Sequence, residues 1–350
     1  IGEDGERVGV HLLAELAHLR ARGHFAEVRD WEEGFDAVGP ADGEAVIFFE
    51  VEVFGGDPFG VHADSVWFII TGGHTMDAME RLKSAIDRAG SCGCVGIDPV
   101  LERIPAEIQG EPIERVREFC LGVLDEVVDA VGVVKPQSAC FERFGAAGYG
   151  VLEEVIGRAN ELGLVVILDA KRGDIGSSAG HYAAGAKFMG ADWITCSPYM
   201  GRSSIQPFLD AGLGVFALCR TSNPDADELQ SLMVDDGSSL AQHTAKMIEG
   251  LGNQVGAVVG ATNAAAETEA LRSAMPSAMF LVPGVGAQGG TVADVKAMCI
   301  AGASSHGGLG VVINASRSVL FPDAREGESW NDAVRREAGA FAGLCSSLLD

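Results

Sequence analysis

The segment ILDAKRGDIGSS, residues 167–178, holds the densest set of chemically capable side chains in the sequence. Asp169 and Lys171 are two residues apart, so on a β-strand they share one face. Asp174 comes three residues later, past the strand, where it need not enter the same site and could reach a neighbouring chain. Two other apolar runs end in matching groups, Lys135 in VKPQ and Asp98 in GIDP. Adjacent strands lie about 4.8 Å apart, so Lys135, Asp169 and Lys171 can form a network of alternating charge. A lone Asp-x-Lys reads as a salt bridge beside a polar loop. Charges gathered from several strand ends cost desolvation and are a poor source of stability, so function explains them better.

A second constellation suits phosphate. The run PGVGAQGG (283–290) carries glycines that let backbone N–H groups approach an anion, and Gln288 can add an amide contact. The last apolar run ends at Arg317, whose guanidinium matches phosphate bidentately. The glycine-rich loop alone reads as a plain turn; Arg317 at the next strand end makes it a phosphate site. Arg202 in YMGRSS reads as a solvated loop residue, and His181 as a helix residue with a structural role. No dinucleotide fingerprint, P-loop or metal-ligand set is visible, so no cofactor is expected.

These groups need elements to position them. Eight apolar runs supply candidates: CVGIDP (94–99), VGVVKPQ (131–137), LVVILDAK (164–171), ADWITCSP (191–198), GVFALCRTS (214–222), VGAVVGAT (255–262), MFLVPGVG (279–286) and GVVINASR (310–317). Their starts average about 31 residues apart, the size of a βαβ unit. The runs are near-continuously hydrophobic, as in parallel strands buried on both faces. Amphipathic stretches lie between them, for example 114–131 and 148–163, the second stopping at Gly163. The pattern predicts an α/β fold, a closed (β/α)8 TIM barrel over residues 76–350, with active groups at the C-terminal strand ends. The stretch 223–253 is long and acidic, and is expected to cross the barrel mouth before forming a helix. Residues 1–75 form an N-terminal extension outside this pattern. There 11–25 reads as a helix, and 44–55 and 64–73 as strands. No function is assigned to the extension, and Met76 or Met79 is a natural start for the barrel.

Composition narrows the partners. The formal charge is −25, from 25 basic and 50 acidic side chains. Such a surface argues against nonspecific binding to nucleic acid or to anionic membrane. No stretch reaches 18 apolar residues, and the acidic N-terminus lacks the basic region of a signal peptide. The eight Cys are scattered without a CxxC pair and read as buried, reduced thiols of a cytoplasmic protein.

DAKRGDIG resembles the DxKxxDI signature of the orotidine 5′-phosphate decarboxylase family. VGIDP, VVKPQSACFERFG, ALCRTSNP, VPGVGAQGG and INASRS are similar to that family's longer bacterial subgroup and stand in the same order, over roughly residues 78–345. The resemblance implies conversion of orotidine 5′-monophosphate to uridine 5′-monophosphate and CO2 without a cofactor, in pyrimidine biosynthesis. It implies Lys171 as proton donor and Asp169 beside the substrate carboxylate. Lys135 and Asp98 would touch the ribose, and Ser222 would bond the pyrimidine. Gln288 and Arg317 would hold the phosphate. Asp174 and Ser178 would come from the other subunit of a homodimer. Many relatives have Thr where Ser178 stands, which keeps the hydroxyl but weakens that inference. Metal-dependent sugar-phosphate enzymes on a similar barrel share a DxKxxD-like strand. They carry a carboxylate at the position of Lys135, where an ammonium would repel a metal ion. A non-catalytic nucleotide-phosphate binder would not need the charge cluster.

Overall fold

The computed structural model describes residues 25–27, 46–54, 63–71, 76–285 and 290–349. The chain divides into two compact units, residues 1–75 and 76–350. In the first, β1 (Phe25–Glu27), β2 (Val46–Phe54) and β3 (Ala63–Thr71) form an antiparallel sheet in that order. Val46 pairs with Thr71, and Phe54 with Ala63. The two strands expected here are both present. The helix expected over 11–25 lies outside the described residues except for Phe25, which opens β1.

The second unit is the expected barrel. Its strands are β4 (Gly93–Ile97), β5 (Val133–Pro136), β6 (Val165–Arg172) and β7 (Trp193–Cys196). They continue as β8 (Gly214–Arg220), β9 (Val255–Val259), β10 (Phe280–Pro283) and β11 (Val311–Ala315). All pairings are parallel, and β11 returns to β4 to close the ring. Every residue of β4, β9 and β11 is buried, as strands covered on both faces require.

Local signals set the helix ends. Helix Ala78–Ala89 begins with a reciprocal capping box between Asp77 and Glu80 and stops at Gly90, which takes the left-handed φ of 62°. Met79 therefore lies inside this helix. Its buried side chains, including Leu82, Ala85 and Ile86, fall at helical spacing and face the barrel. The helices expected at 114–131 and 148–163 run Pro112–Val127 and Gly145–Glu161. The acidic excursion after β8 holds a turn at Pro224–Ala226 and a short helix Asp227–Gln230, then helix Leu240–Glu249.

Trp193, Phe119, Phe141, Phe216 and Phe280 are fully buried, each contributing about 1.5–3 kcal/mol through apolar area removed from water. All eight Cys are free thiols, six of them buried. Burial pushes the Cys94 thiol up to about 12, the neighbouring Lys135 ammonium only partly opposing it, so it stays protonated near neutral pH. Among the described residues, no helix is long and apolar enough to cross a membrane.

Candidate active site

The C-terminal strand ends surround a cavity of about 540 Å3. Asp98, Lys135, Asp169, Lys171, Ser222 and Arg317 all line it. Asp174 and Ser178 do not. Gln288 lies outside the described residues. A smaller cavity of about 290 Å3 sits at the opposite ends of β6 and β7. Its Arg81–Asp192 ion pair, 2.7 Å long, belongs to the barrel floor, where stability rather than chemistry resides.

The charge network forms across β4, β5 and β6. Lys135 Nζ donates to Asp169 Oδ2 at 2.7 Å, and Lys171 Nζ donates to Asp169 Oδ1 at 2.6 Å. Asp98 Oδ1 stands 3.9 Å from Lys135 Nζ, buried and without a hydrogen bond. Lys135 and Asp169 are each only 5% exposed, whereas the Lys171 side chain is 46% exposed. The buried pair thus supports a more exposed ammonium at the cavity.

Two residues without an expected role complete the Asp169 shell. Gln137 Nε2 donates to Oδ2 at 3.0 Å, and Thr195 Oγ1 donates to Oδ1 at 2.8 Å. Burial would raise the Asp169 carboxyl, but the two ammonium groups and their hydrogen bonds outweigh it and hold it well below the usual carboxylate range. Burial would likewise lower Lys135, yet Asp169 and Asp98 raise it above the ordinary lysine value. Both groups are therefore charged at neutral pH. Gln137 stands two residues after Lys135, so strand alternation was a usable signal for it. Thr195, inside an apolar run, gave none.

Asp169 and Lys171 do meet, but regular strand alternation is not the reason. The β6–β7 register shifts between Leu168 and Arg172. Lys171 has a φ of 45° and is the one non-glycine residue with a positive φ among the described residues. Such a conformation costs on the order of 1–3 kcal/mol and persists only where surroundings enforce it. Here the Lys171 N–H donates to Thr195 Oγ1 at 3.0 Å, and the side chain is drawn to Asp169.

Close backbone approach shapes the rest of the cavity. A Cβ on Gly96 would stand 2.0 Å from Ser316 Oγ, and one on Gly260 would stand 2.8 Å from the Ser222 Cβ. Glycine at these two positions lets the ends of β11 and β8 pack over β4 and β9. Arg220, 8% exposed at the end of β8, braces the segment that carries Ser222. Its Nε donates to Glu267 Oε1 at 2.7 Å, and it pairs with Asp227 at 2.5 Å. Gln230 then clasps Thr221, accepting from its N–H at 2.9 Å and donating to its hydroxyl at 2.7 Å.

Arg317 opens the four-residue helix Arg317–Leu320 directly after β11. On the neighbouring strand end, Gly284 has a φ of 100°, and Val285 bridges to Gly290. Asp174 accepts from the Ile175 N–H at 2.8 Å, and Ser178 sits in helix Gly176–Phe188. His181 is exposed on that helix, and Arg202 donates to the Gly250 carbonyl.

A closed parallel barrel with a Lys–Asp–Lys network in its mouth and an arginine at the last strand end defines a β/α-barrel enzyme that handles an anionic small molecule. Comparison with known proteins is more specific. The profile described as "Orotidine 5′-phosphate decarboxylase / HUMPS family" matches residues 94–326. The orotidine 5′-phosphate decarboxylase of Rhodopirellula baltica is 41% identical over 291 residues, covering 73% of this chain and 94% of its own. That of Delftia acidovorans is 42% identical over 276 residues, covering 76% and 96%. The solved OMP decarboxylase of Leishmania donovani superposes with a TM-score of 0.61 at 34% identity, covering 77% of this chain and 99% of its own. The chain belongs to the orotidine 5′-phosphate decarboxylase / HUMPS family, and the relatives named here are carboxy-lyases.

Proposed function

We propose that residues 76–350 convert orotidine 5′-monophosphate to uridine 5′-monophosphate and CO2, a step of pyrimidine biosynthesis, with Lys171 as proton donor and no coenzyme. The observation that carries this reading is the Lys171 ammonium, held 2.6 Å from Asp169 in the mouth of a barrel of this family.

The C6–carboxylate bond breaks, CO2 departs, and the electron pair remains on C6. The Lys171 ammonium stabilises that charge as it develops and then gives C6 a proton. Water returns a proton to the amine. Asp169 stands beside the departing carboxylate. Two like charges about 4 Å apart repel by roughly 4 kcal/mol at an effective dielectric of 20. That repulsion ends when CO2 leaves. Lys135 keeps Asp169 ionised and, with Asp98, meets the ribose. Ser222 bonds the pyrimidine. Arg317 and Gln288 hold the phosphate, whose remote binding energy positions the base.

Asp174 and Ser178 are proposed to complete the partner's site in a homodimer. Both stand beside the cavity in sequence, yet neither lines it. The same loops after β6 and β7 expose Ile175, Tyr199 and Met200, an apolar surface that a second copy would cover. The acidic charge and the free, mostly buried thiols suit a cytoplasmic enzyme.

The test is the fall of orotidine monophosphate absorbance on mixing with purified protein, with and without EDTA. A steady fall unaffected by EDTA is expected. No turnover would refute the reading, and turnover abolished by EDTA would favour a metal-dependent reaction.

A further inference from the structure

We propose that Thr195 is a positioning residue that sets the Lys171 ammonium in place by gripping both Asp169 and the Lys171 backbone. The proposal rests on the function inferred above for Lys171. Thr195 lies on β7, is 1% exposed, and borders the cavity.

A hydroxyl has one proton to donate and two lone pairs to accept with. Thr195 uses both capacities on one neighbour. Its O–H donates to Asp169 Oδ1 at 2.8 Å, and its oxygen accepts from the Lys171 N–H at 3.0 Å. A single side chain therefore ties the two ends of Asp169-Ala170-Lys171 from the adjacent strand. The tie falls where the ladder fails to hold the chain, because β6 and β7 change register between Leu168 and Arg172. In place of a strand carbonyl, the Lys171 amide finds the threonine hydroxyl.

The oxygen it grips is the one that receives Lys171 Nζ at 2.6 Å. Rotation of the Asp169 carboxylate would carry the ammonium with it. Release of the Lys171 N–H would let its φ of 45° relax toward the ordinary negative range. Either movement takes the side-chain nitrogen away from where pyrimidine C6 must sit. Thr195 touches no reacting atom in this scheme. It acts through Lys171.

A residue that merely filled the barrel core would tolerate valine, which has nearly the shape of threonine but neither hydrogen bond. We compare wild type, Thr195→Val and Thr195→Ser, measuring kcat, KM, affinity for uridine 5′-monophosphate and thermal unfolding. The valine variant should lose about 10- to 100-fold in kcat, the scale of a small displacement of a reacting group. Its KM and product affinity should stay within about threefold, and serine should restore kcat to within about threefold. A valine variant with the wild-type kcat, a loss confined to KM, or a serine variant as slow as valine would overturn the proposal. Should the valine variant fail to fold, Thr195→Ala against serine gives the same comparison. A wild type inactive on this nucleotide would sink the functional reading alone. Crystals of wild type and variant would then decide: an unmoved Lys171 Nζ overturns the positioning role.

Discussion

Lys135 and Asp169 meet at 2.7 Å with almost no exposure, across the ends of two adjacent barrel strands. Taking both charges out of water costs several kcal/mol each, which their mutual attraction offsets only when the remaining hydrogen bonds are filled. Gln137, Lys171 and Thr195 fill those of Asp169. The network holds a carboxylate fixed and ionised in the cavity, a state that packing alone would not select.

Replacing Asp169 by Asn leaves the buried Lys135 ammonium with only Asp98 at 3.9 Å. Unfolding free energy should fall by about 3 kcal/mol at neutral pH, as when one partner of a buried pair is lost. The pH dependence has a definite sign. Asp169 is depressed in the folded state, so its stabilisation is present above the ordinary carboxylate pKa of about 3.9 and lost as pH falls through the folded value. Denaturant melts should show wild type weakening below about pH 4 more steeply than the Asn variant. Parallel curves would contradict the assignment.

Lys171→Ala should abolish measurable turnover, a loss of at least about 10³-fold, while uridine monophosphate still binds within a few-fold of wild type. Asp174→Asn should also be inactive if its carboxylate completes the partner's site. Mixing the two inactive variants under conditions of subunit exchange should then restore partial activity, because some mixed dimers regain one intact site. No recovery would place Asp174 in its own chain's chemistry.

Arg317 lines the cavity and has no ion-pair partner among the described residues, which suits the phosphate role proposed for it. Arg317→Ala should raise KM about 100-fold, the worth of two charge-assisted hydrogen bonds. With orotidine, which lacks the phosphate, wild type and variant should behave alike. A defect of equal size on both substrates would remove Arg317 from the phosphate site.

Arg220 braces the Ser222 segment against Glu267 and Asp227. Arg220→Met keeps much of the volume but releases the tether. The substrate KM should rise about tenfold, and limited proteolysis should speed up within 221–236, with little change in the barrel's melting. Unaltered cleavage and KM would show that the segment holds itself.

Much of this molecule was legible before its fold. Buried parallel strands need unbroken apolar runs, so eight such runs near βαβ spacing implied the barrel. Helix limits followed from short-range chemistry: the Asp77–Glu80 capping box and Gly90 act within a turn of the backbone they terminate. Charged side chains at strand ends were equally visible, since strand order brings Asp98, Lys135 and Asp169 to one rim.

Tertiary structure alone decided how that rim works. Thr195 meets Asp169 across 26 positions of sequence, from inside an apolar run that gives no sign of it. Such encounters depend on strand register, which no local pattern encodes. The register shift in β6 sends Lys171 into a left-handed turn, so its contact with Asp169 comes from a break in alternation rather than from alternation itself. Composition and periodicity determine which groups reach the barrel mouth; the energy of pairing across strands decides where each one points.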